Sequence, residues 1–182
     1  MFPACEHTVL ILIDWQERLQ PAMPHCREQN QLNAEHLVWF AGQCSMPVVV
    51  TEQYPKGLGP TVESLRVLLP DSASVIEKRD FSAAALPHFN GELAKLNIQE
   101  VVLIGMETHI CVAQTAMDLI KQDHNVWLPV DAVLSRRKLD WKFGIQQMEQ
   151  AGVRLTTTEA LIFSWLGRAE GDLFKAFSRR IR

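Results

Sequence analysis

The chain has 182 residues, a formal net charge of −3, and a composition that is 47% hydrophobic and 21% charged. This size suits a single globular domain over residues 1–182, with a core that needs neither disulfides nor metal for stability. The negative charge argues against a nucleic-acid partner, and no apolar run approaches the roughly 18 residues that span a membrane.

The four cysteines are widely separated and form no C-x-x-C pair, which excludes a zinc ribbon or a thioredoxin-type motif. The N-terminus also lacks the basic and apolar pattern of a secretory signal. We therefore expect a cytoplasmic protein. The cysteines are Cys5, Cys26, Cys44 and Cys111.

Apolar runs alternate along the chain with segments of helical periodicity, which indicates an α/β fold. A single parallel sheet with helices on both faces follows from this alternation. The predicted strands are residues 8–14, 46–51, 74–78, 100–105, 125–130 and 153–157. The predicted helices are residues 31–44, 83–96 with a break near Pro87, 110–122, 138–150 and most of the remaining C-terminal segment.

Three reactive side chains follow predicted strands. Asp14 ends the first strand, Lys78 ends the third, and Cys111 lies in the first turn of the helix after the fourth. Ligands of parallel sheets bind beyond the carboxyl ends of the strands, near the point where strand order reverses. If the first strand lies between the second and the fourth, all three groups meet at one edge of the sheet.

Cys111 is the candidate nucleophile. Thr108 is the predicted N-cap, which places Cys111 at the third helical position, where unpaired N–H groups and the helix dipole favour a thiolate. A nearby Lys78 ammonium would lower the pKa of the thiol further. Asp14 would act as general base toward the thiol and then as general acid toward the leaving amine. Taken singly, each residue also fits a structural role.

Three motifs in this order resemble the isochorismatase-like cysteine hydrolases: Asp14-Trp-Gln, Lys78-Arg-Asp-Phe-Ser, and Gly-x-x-Thr-x-x-Cys-Val ending at Val112. Residues 51–60 resemble the isochorismatase-domain-containing subgroup, whose substrates are mostly undefined. The resemblance implies a three-layer α/β/α sandwich, Rossmann-like and doubly wound, with a six-stranded parallel sheet. It also implies a catalytic triad of Asp14, Lys78 and Cys111, and a homo-oligomer.

The family further implies a non-proline cis peptide, here between Met106 and Glu107. The resemblance also implies an oxyanion hole formed by the backbone N–H groups of Glu107 and Cys111. Side chains next to the motifs are the candidate substrate-binding residues: Trp15, Gln16, Gln53, Tyr54 and Phe81.

The activity that the resemblance implies is hydrolysis of a small carboxamide or related C–N bond through a thioester. We expect no metal and no other cofactor, because residues 52–54 read Glu-Gln-Tyr where nicotinamidases carry Asp-x-His. Cys111 favours acyl chemistry over isochorismatase-like vinyl-ether hydrolysis, in which Asp14 would be the acid. A non-catalytic binding or scaffold protein that retains the fold stays open as a third interpretation.

Three other motifs could suggest a binding or catalytic site, but each has a simpler interpretation. Residues 56–60 lack the spacing of a phosphate-binding loop and are expected to shape the mouth of a pocket. His25 and Cys26 are adjacent and have no visible partner cluster, so they are not expected to bind metal. His109 precedes Cys111 by two positions, and such residues face different sides of a helix, which disfavours a Cys-His dyad.

Overall fold

The computed structural model describes residues 2–23 and 27–181. His25 and Cys26 therefore lie outside the described residues. The strands are β1 Thr8–Ile13, β2 Val48–Gln53, β3 Ser74–Lys78, β4 Glu100–Met106, β5 Asn125–Pro129, β6 Val133–Leu134 and β7 Arg154–Thr156. The helices are α1 Arg27–Gln43, α2 Pro55–Leu58, α3 Glu63–Arg66, α4 Pro87–Leu96, α5 Ala113–Lys121, α6 Lys138–Gln150, α7 Thr158–Leu166 and α8 Asp172–Arg180.

The strands form one parallel sheet in the order β3-β2-β1-β4-β5-β7, with the short β6 paired to the end of β4. β1 lies between β2 and β4, and Ile13 is aligned with Thr51 on one side and Gly105 on the other. The predicted parallel sheet is confirmed, and so is the central place of the first strand. β6 was not predicted, because two residues are too short to show a periodicity.

Every residue of β1 is buried, and alternate side chains enter two different cores. Leu10 and Leu12 join the core beneath α1, α7 and α8. Val9, Ile11 and Ile13 join the core beneath α4, α5 and α6. A strand covered on both faces in this way reads as a continuous apolar run, which is the pattern seen in the sequence.

Predicted and observed helices agree most closely at α6, where both cover residues 138–150. The predicted break near Pro87 is also present: a 3₁₀ turn over Ala83–Ala85 precedes α4, which begins at that proline. The helix predicted over residues 110–122 is different. It opens with a π-helical turn, Thr108–Val112, and α5 proper starts only at Ala113.

The π-helical turn packs closely against α6. A Cβ placed on Gly144 of α6 would lie 2.9 Å from His109 Cα, so only glycine allows this approach. Val112 N–H donates to Glu107 O at 3.2 Å, the five-residue spacing of a π-helix. Such single turns occur often at functional sites, and no local sequence periodicity signals them.

Candidate active site

The structure brings Asp14, Lys78 and Cys111 to one edge of the sheet. Asp14 follows the last residue of β1, Lys78 is the last residue of β3, and Cys111 lies in the π-helical turn after β4. These are carboxyl ends of parallel strands, the usual place for a ligand in this fold class. Asp14 adopts a left-handed backbone conformation, with φ of 48°, as the chain turns out of the strand.

Asp14 and Lys78 form a fully buried ion pair. Lys78 Nζ lies 2.6 Å from Asp14 Oδ2, and both side chains are excluded from solvent. The contact is poorly aligned for a hydrogen bond at Oδ2, whereas Oδ1 accepts a well-formed one from Thr51 Oγ1 at 2.7 Å. Neither charge can be removed alone without leaving the other buried and uncompensated.

The Lys78 ammonium is held by further oxygen atoms. It donates to Gln53 Oε1 at 2.7 Å and to the backbone carbonyls of Asp80 and Phe81 at 3.2 Å each. Gln53 is in turn held by its own Nε2, which donates to Arg79 O at 2.8 Å. The predicted substrate-binding residue Gln53 thus contacts the buried lysine, and this contact orients the ammonium.

The Cys111 thiol lies close enough to Asp14 and Lys78 for both to shift its pKa, and the residue is only 7% exposed. Burial raises the pKa of Cys111 to about 12, and the Asp14 carboxylate adds to this rise, while Lys78 opposes it. The expectation of a lowered pKa was therefore wrong. That expectation took into account Lys78 and the start of the helix, which lower the pKa of the thiol. Burial and the Asp14 carboxylate raise this pKa by more than Lys78 lowers it.

The local geometry around Cys111 also differs from the predicted one. Glu107 occupies the N-cap position, and Thr108 is the first residue of the π-helical turn. The Thr108 hydroxyl is buried and has no hydrogen-bond partner among the described residues, so the predicted cap is wrong. The peptide bond between Met106 and Glu107 is cis. Glu107 O accepts from the N–H groups of Ile110 and Val112 and not from the intervening Cys111.

Tyr54 and Phe81 lie at the rim of the site. They are 44% and 54% exposed, respectively. The Arg79 guanidinium stacks over the Tyr54 ring, with 4.5 Å from Cζ to the ring centroid. A surface cavity of about 350 Å³ is lined by Tyr54, Lys78 and Arg79 among others, but not by Asp14 or Cys111. The cavity therefore lies at the end of β3, where Lys78 is, and not at the Cys111 thiol.

Trp15 and Gln16 are not placed at this rim. Trp15 is fully buried in the core beneath α1, on the opposite face of the sheet from the core that contains Cys111. Gln16 is also fully buried, and its amide binds the Gly59 and Gln53 carbonyls and the Gln53 N–H. Both residues were predicted to line the pocket because they follow Asp14 in the sequence. The Trp15 side chain instead points to the other face of the sheet, and Gln16 binds the backbone of the loop after β2.

Two side-chain contacts beside the site were not predicted from the sequence. The buried Glu107 carboxylate accepts from Arg136 Nε at 3.0 Å and from the Arg136 backbone N–H at 3.1 Å. His109 Nδ1 lies 3.0 Å from Ser135 Oγ, which directs the imidazole toward the β6–α6 segment. Both contacts fasten the π-helical turn to residues 135 and 136, which are too far away in the sequence for a local pattern to signal them.

Within residues 2–23 and 27–181, no three His, Cys, Asp or Glu side chains gather in a group that could hold a metal ion. Over the same described residues, no helix is both long and apolar enough to cross a membrane.

Comparison with known proteins identifies a family that this chain matches. The isochorismatase domain model matches residues 8–160. Isochorismatase domain-containing protein 1 of Salmo salar is 35% identical over 176 residues, which cover 96% of this chain and 61% of that protein. Isochorismatase domain-containing protein 2 of Xenopus laevis is 35% identical over 175 residues, covering 96% and 83%.

Among solved structures, the MAR1 ribonuclease of Caenorhabditis elegans superimposes with a TM-score of 0.92 at 36% identity, covering 100% of this chain and 92% of that one. The chain thus spans less than two thirds of the salmon protein but nearly all of the nematode structure. With the domain model matched over most of its length, the chain belongs to the isochorismatase family of hydrolases.

Proposed function

We propose that this protein is a metal-independent cysteine hydrolase that cleaves a small carboxamide or related C–N bond through a thioester. The observation that carries the proposal is the fully buried Asp14–Lys78 ion pair in contact with the Cys111 thiol. A desolvated ion pair is costly unless its geometry is well supported, and here Thr51 and Gln53 support it. A cysteine with a shifted pKa beside a buried ion pair, at the carboxyl edge of a parallel sheet, favours catalysis over packing.

The raised pKa of Cys111 favours a thiol that is protonated at rest. In the first step the sulfur attacks the substrate carbonyl while Asp14 accepts the thiol proton. The Lys78 ammonium compensates the negative charge throughout this step, because it lies beside the Asp14 carboxylate at the start and beside the anion that then develops. Asp14 returns the proton to the departing amine, which leaves a thioester on Cys111. Water, deprotonated by Asp14, attacks the thioester; the C–S bond breaks, the acid is released, and Asp14 passes the proton to the Cys111 sulfur.

The oxyanion of both tetrahedral intermediates needs donors, and we assign this role to the N–H groups of Glu107 and Cys111. Such donors contribute roughly 10²–10³ in rate each in other hydrolases. The Glu107–Arg136 and His109–Ser135 contacts support this proposal, because they hold the turn that carries both groups. Tyr54 and Phe81 are the proposed substrate contacts at the rim.

RNA cleavage is a second candidate, since the similar nematode protein is called a ribonuclease. The net charge of −3 and the buried thiol favour a small neutral substrate instead. Vinyl-ether hydrolysis would need Asp14 as a proton donor, whereas here its carboxylate faces an ammonium. A cytoplasmic location and a homo-oligomer stay predictions.

The test is a panel of carboxamides assayed for released ammonia, with a vinyl ether and an RNA oligonucleotide as further arms. The native protein should release ammonia from at least one amide, and Cys111→Ala should abolish the release. Cys5→Ala is the matched control and should retain it. Ammonia release that survives Cys111→Ala, or cleavage confined to the ether or the RNA, would overturn the proposal. Mass spectrometry of the quenched reaction should show the acyl adduct on Cys111.

A further inference from the structure

Cys5 and Cys44 lie at the opposite end of the sheet from the candidate active site. Cys5 begins the 3₁₀ turn that leads into β1, and Cys44 follows the last residue of α1, shortly before β2. β1 and β2 are adjacent and parallel, with Leu10 beside Val48. Leu10 N–H also donates to Pro47 O at 3.0 Å, so the two chain segments already run side by side where they enter the sheet, close to both cysteines.

This backbone arrangement suits a covalent link between the two residues. Adjacent strands lie about 4.8 Å apart, so the segments that lead into β1 and β2 begin close to one another. Both residues pack against the core beneath α1, and both are free and partly exposed. Each thiol is also near enough to the other to shift its pKa, as a pair that is to form a disulfide must be.

We propose that Cys5 and Cys44 form a reversible disulfide with a low-molecular-weight disulfide, such as oxidised glutathione, as the oxidant. The Cys44 thiolate attacks one sulfur of the oxidant and displaces the first glutathione thiolate, which leaves a mixed disulfide on Cys44. Cys5 loses its proton and attacks the Cys44 sulfur, which displaces the second glutathione. Two protein thiols are oxidised, one glutathione disulfide is reduced, and the two thiol protons end on the two glutathiones.

The order of attack follows from the surroundings of the two thiols. Their mutual contact lowers the pKa of Cys44 and raises that of Cys5. Burial and the Glu6 carboxylate add to the rise at Cys5. Cys44 is therefore the sulfur that reacts first, and Cys5 is the resolving one. Cys111 has no such partner thiol, and its own pKa is raised, so it should react slowly with the same oxidant.

The bond would fasten the N-terminal turn to the end of α1 and close a loop that contains β1 and α1. By the chain-entropy model, a loop of this length raises the melting temperature of a protein of this size by about 8–16 °C. Since both cysteines lie at the amino ends of the strands, the link adds rigidity there and leaves the Asp14–Lys78 pair untouched.

The experiment is equilibration of the full chain in glutathione buffers of increasing oxidised fraction. After acid quench, thiol counting should show a loss of two thiols per chain. Peptide mapping should find Cys5 joined to Cys44, with a melting temperature that rises on oxidation and returns on reduction. Cys26→Ser is the matched control and should behave like the native chain.

Two variants separate the outcomes. Cys5→Ser should stop at a Cys44–glutathione mixed disulfide, and Cys44→Ser should lose no pair of thiols and show no rise in melting temperature. The proposal is overturned if the native chain also stops at the mixed disulfide, if Cys26 is the residue that pairs, or if all thiols survive at the most oxidising ratio. None of these readouts depends on the hydrolase activity.

Discussion

The Cys111 thiol has two neighbours with opposite effects on its proton. Burial raises the pKa of the thiol most, Asp14 raises it further, and Lys78 lowers it. A resting thiol beside a carboxylate avoids the adventitious oxidation that exposed thiolates suffer. The same arrangement makes proton transfer to Asp14 part of the attack, so charge appears at sulfur only when substrate is present.

The first prediction concerns the reactivity of this thiol. Asp14→Asn removes the charge that disfavours the thiolate and leaves Lys78 to stabilise it. We expect alkylation of Cys111 by iodoacetamide at neutral pH to become about tenfold faster or more, since one pKa unit is a factor of ten. In the native chain the rate should still be rising at about pH 10, because the pKa is near 12.

The labelled site is identified by mapping, with Cys111→Ser in the Asp14→Asn background as the control. An unchanged or slower rate in Asp14→Asn would show that the carboxylate does not raise the pKa of Cys111.

The second prediction concerns the buried ion pair. Lys78→Met leaves the Asp14 carboxylate uncompensated, and we expect the free energy of unfolding to fall by about 3–5 kcal/mol. The double variant Asp14→Asn, Lys78→Met carries no buried charge and should recover most of that loss. Urea denaturation of the two variants measures the difference. Equal stability of the single and the double variant would contradict this account.

At the scale of elements, the end of β4 must pass very close to β1. Gly105 has φ of 134°, and a Cβ at this position would lie 2.1 Å from Ile13 O. The close approach positions Asp14, which follows Ile13, against the turn that carries Cys111. A glycine here is thus required by a main-chain contact rather than by flexibility.

The third prediction tests this contact. Gly105→Ala should lower the free energy of unfolding by about 4 kcal/mol or more, because it adds both a backbone clash and an unfavourable φ. Gly91→Ala is the matched control, since Gly91 lies within α4 and a Cβ there meets nothing within 4 Å. It should stabilise the protein by about 0.5–1 kcal/mol. Circular dichroism during urea titration measures both, and similar effects of the two variants would refute the contact.

The elements also show where local signals stop being informative. The ranges of β3 and α6 are those predicted. The π-helical turn was not predicted, because it depends on the contact between His109 and Gly144, which are distant in the sequence. The prediction of Thr108 as the N-cap was wrong for the same reason. The turn starts one residue earlier than predicted, so Thr108 is its first residue and Glu107 is the N-cap.

At the scale of the whole molecule, the C-terminal helix α8 is fastened to α1 around a buried histidine. Arg180 Nε donates to His36 Nδ1 at 3.1 Å, and Phe177 packs edge-on against the imidazole. Burial lowers the pKa of His36, the Arg180 charge lowers it further, and Glu35 partly opposes both. The imidazole is thus neutral when it accepts the arginine's hydrogen bond.

The fourth prediction follows from the direction of this shift. With the folded-state pKa below the unfolded value of 6.5, the unfolded chain binds the proton first as the pH falls. Stability is therefore independent of His36 above that value and decreases as the pH falls below it. Urea unfolding at several pH values should show a smaller loss in His36→Gln than in the native chain. Identical pH profiles would exclude His36 as the cause.

The sequence by itself determined the layers of the fold, because apolar runs and helical periodicity are local patterns that a buried parallel sheet and its covering helices require. It also placed Asp14, Lys78 and Cys111 at the carboxyl ends of parallel strands, which share one edge of a sheet, whereas the strand order that brings them together is seen in the structure. Only the tertiary structure decided the proton state of Cys111 and the places of Trp15 and Gln16. A pKa depends on burial and on the distances between charges, and the direction of a side chain after a strand depends on backbone conformation; both are set by residues far apart in the chain.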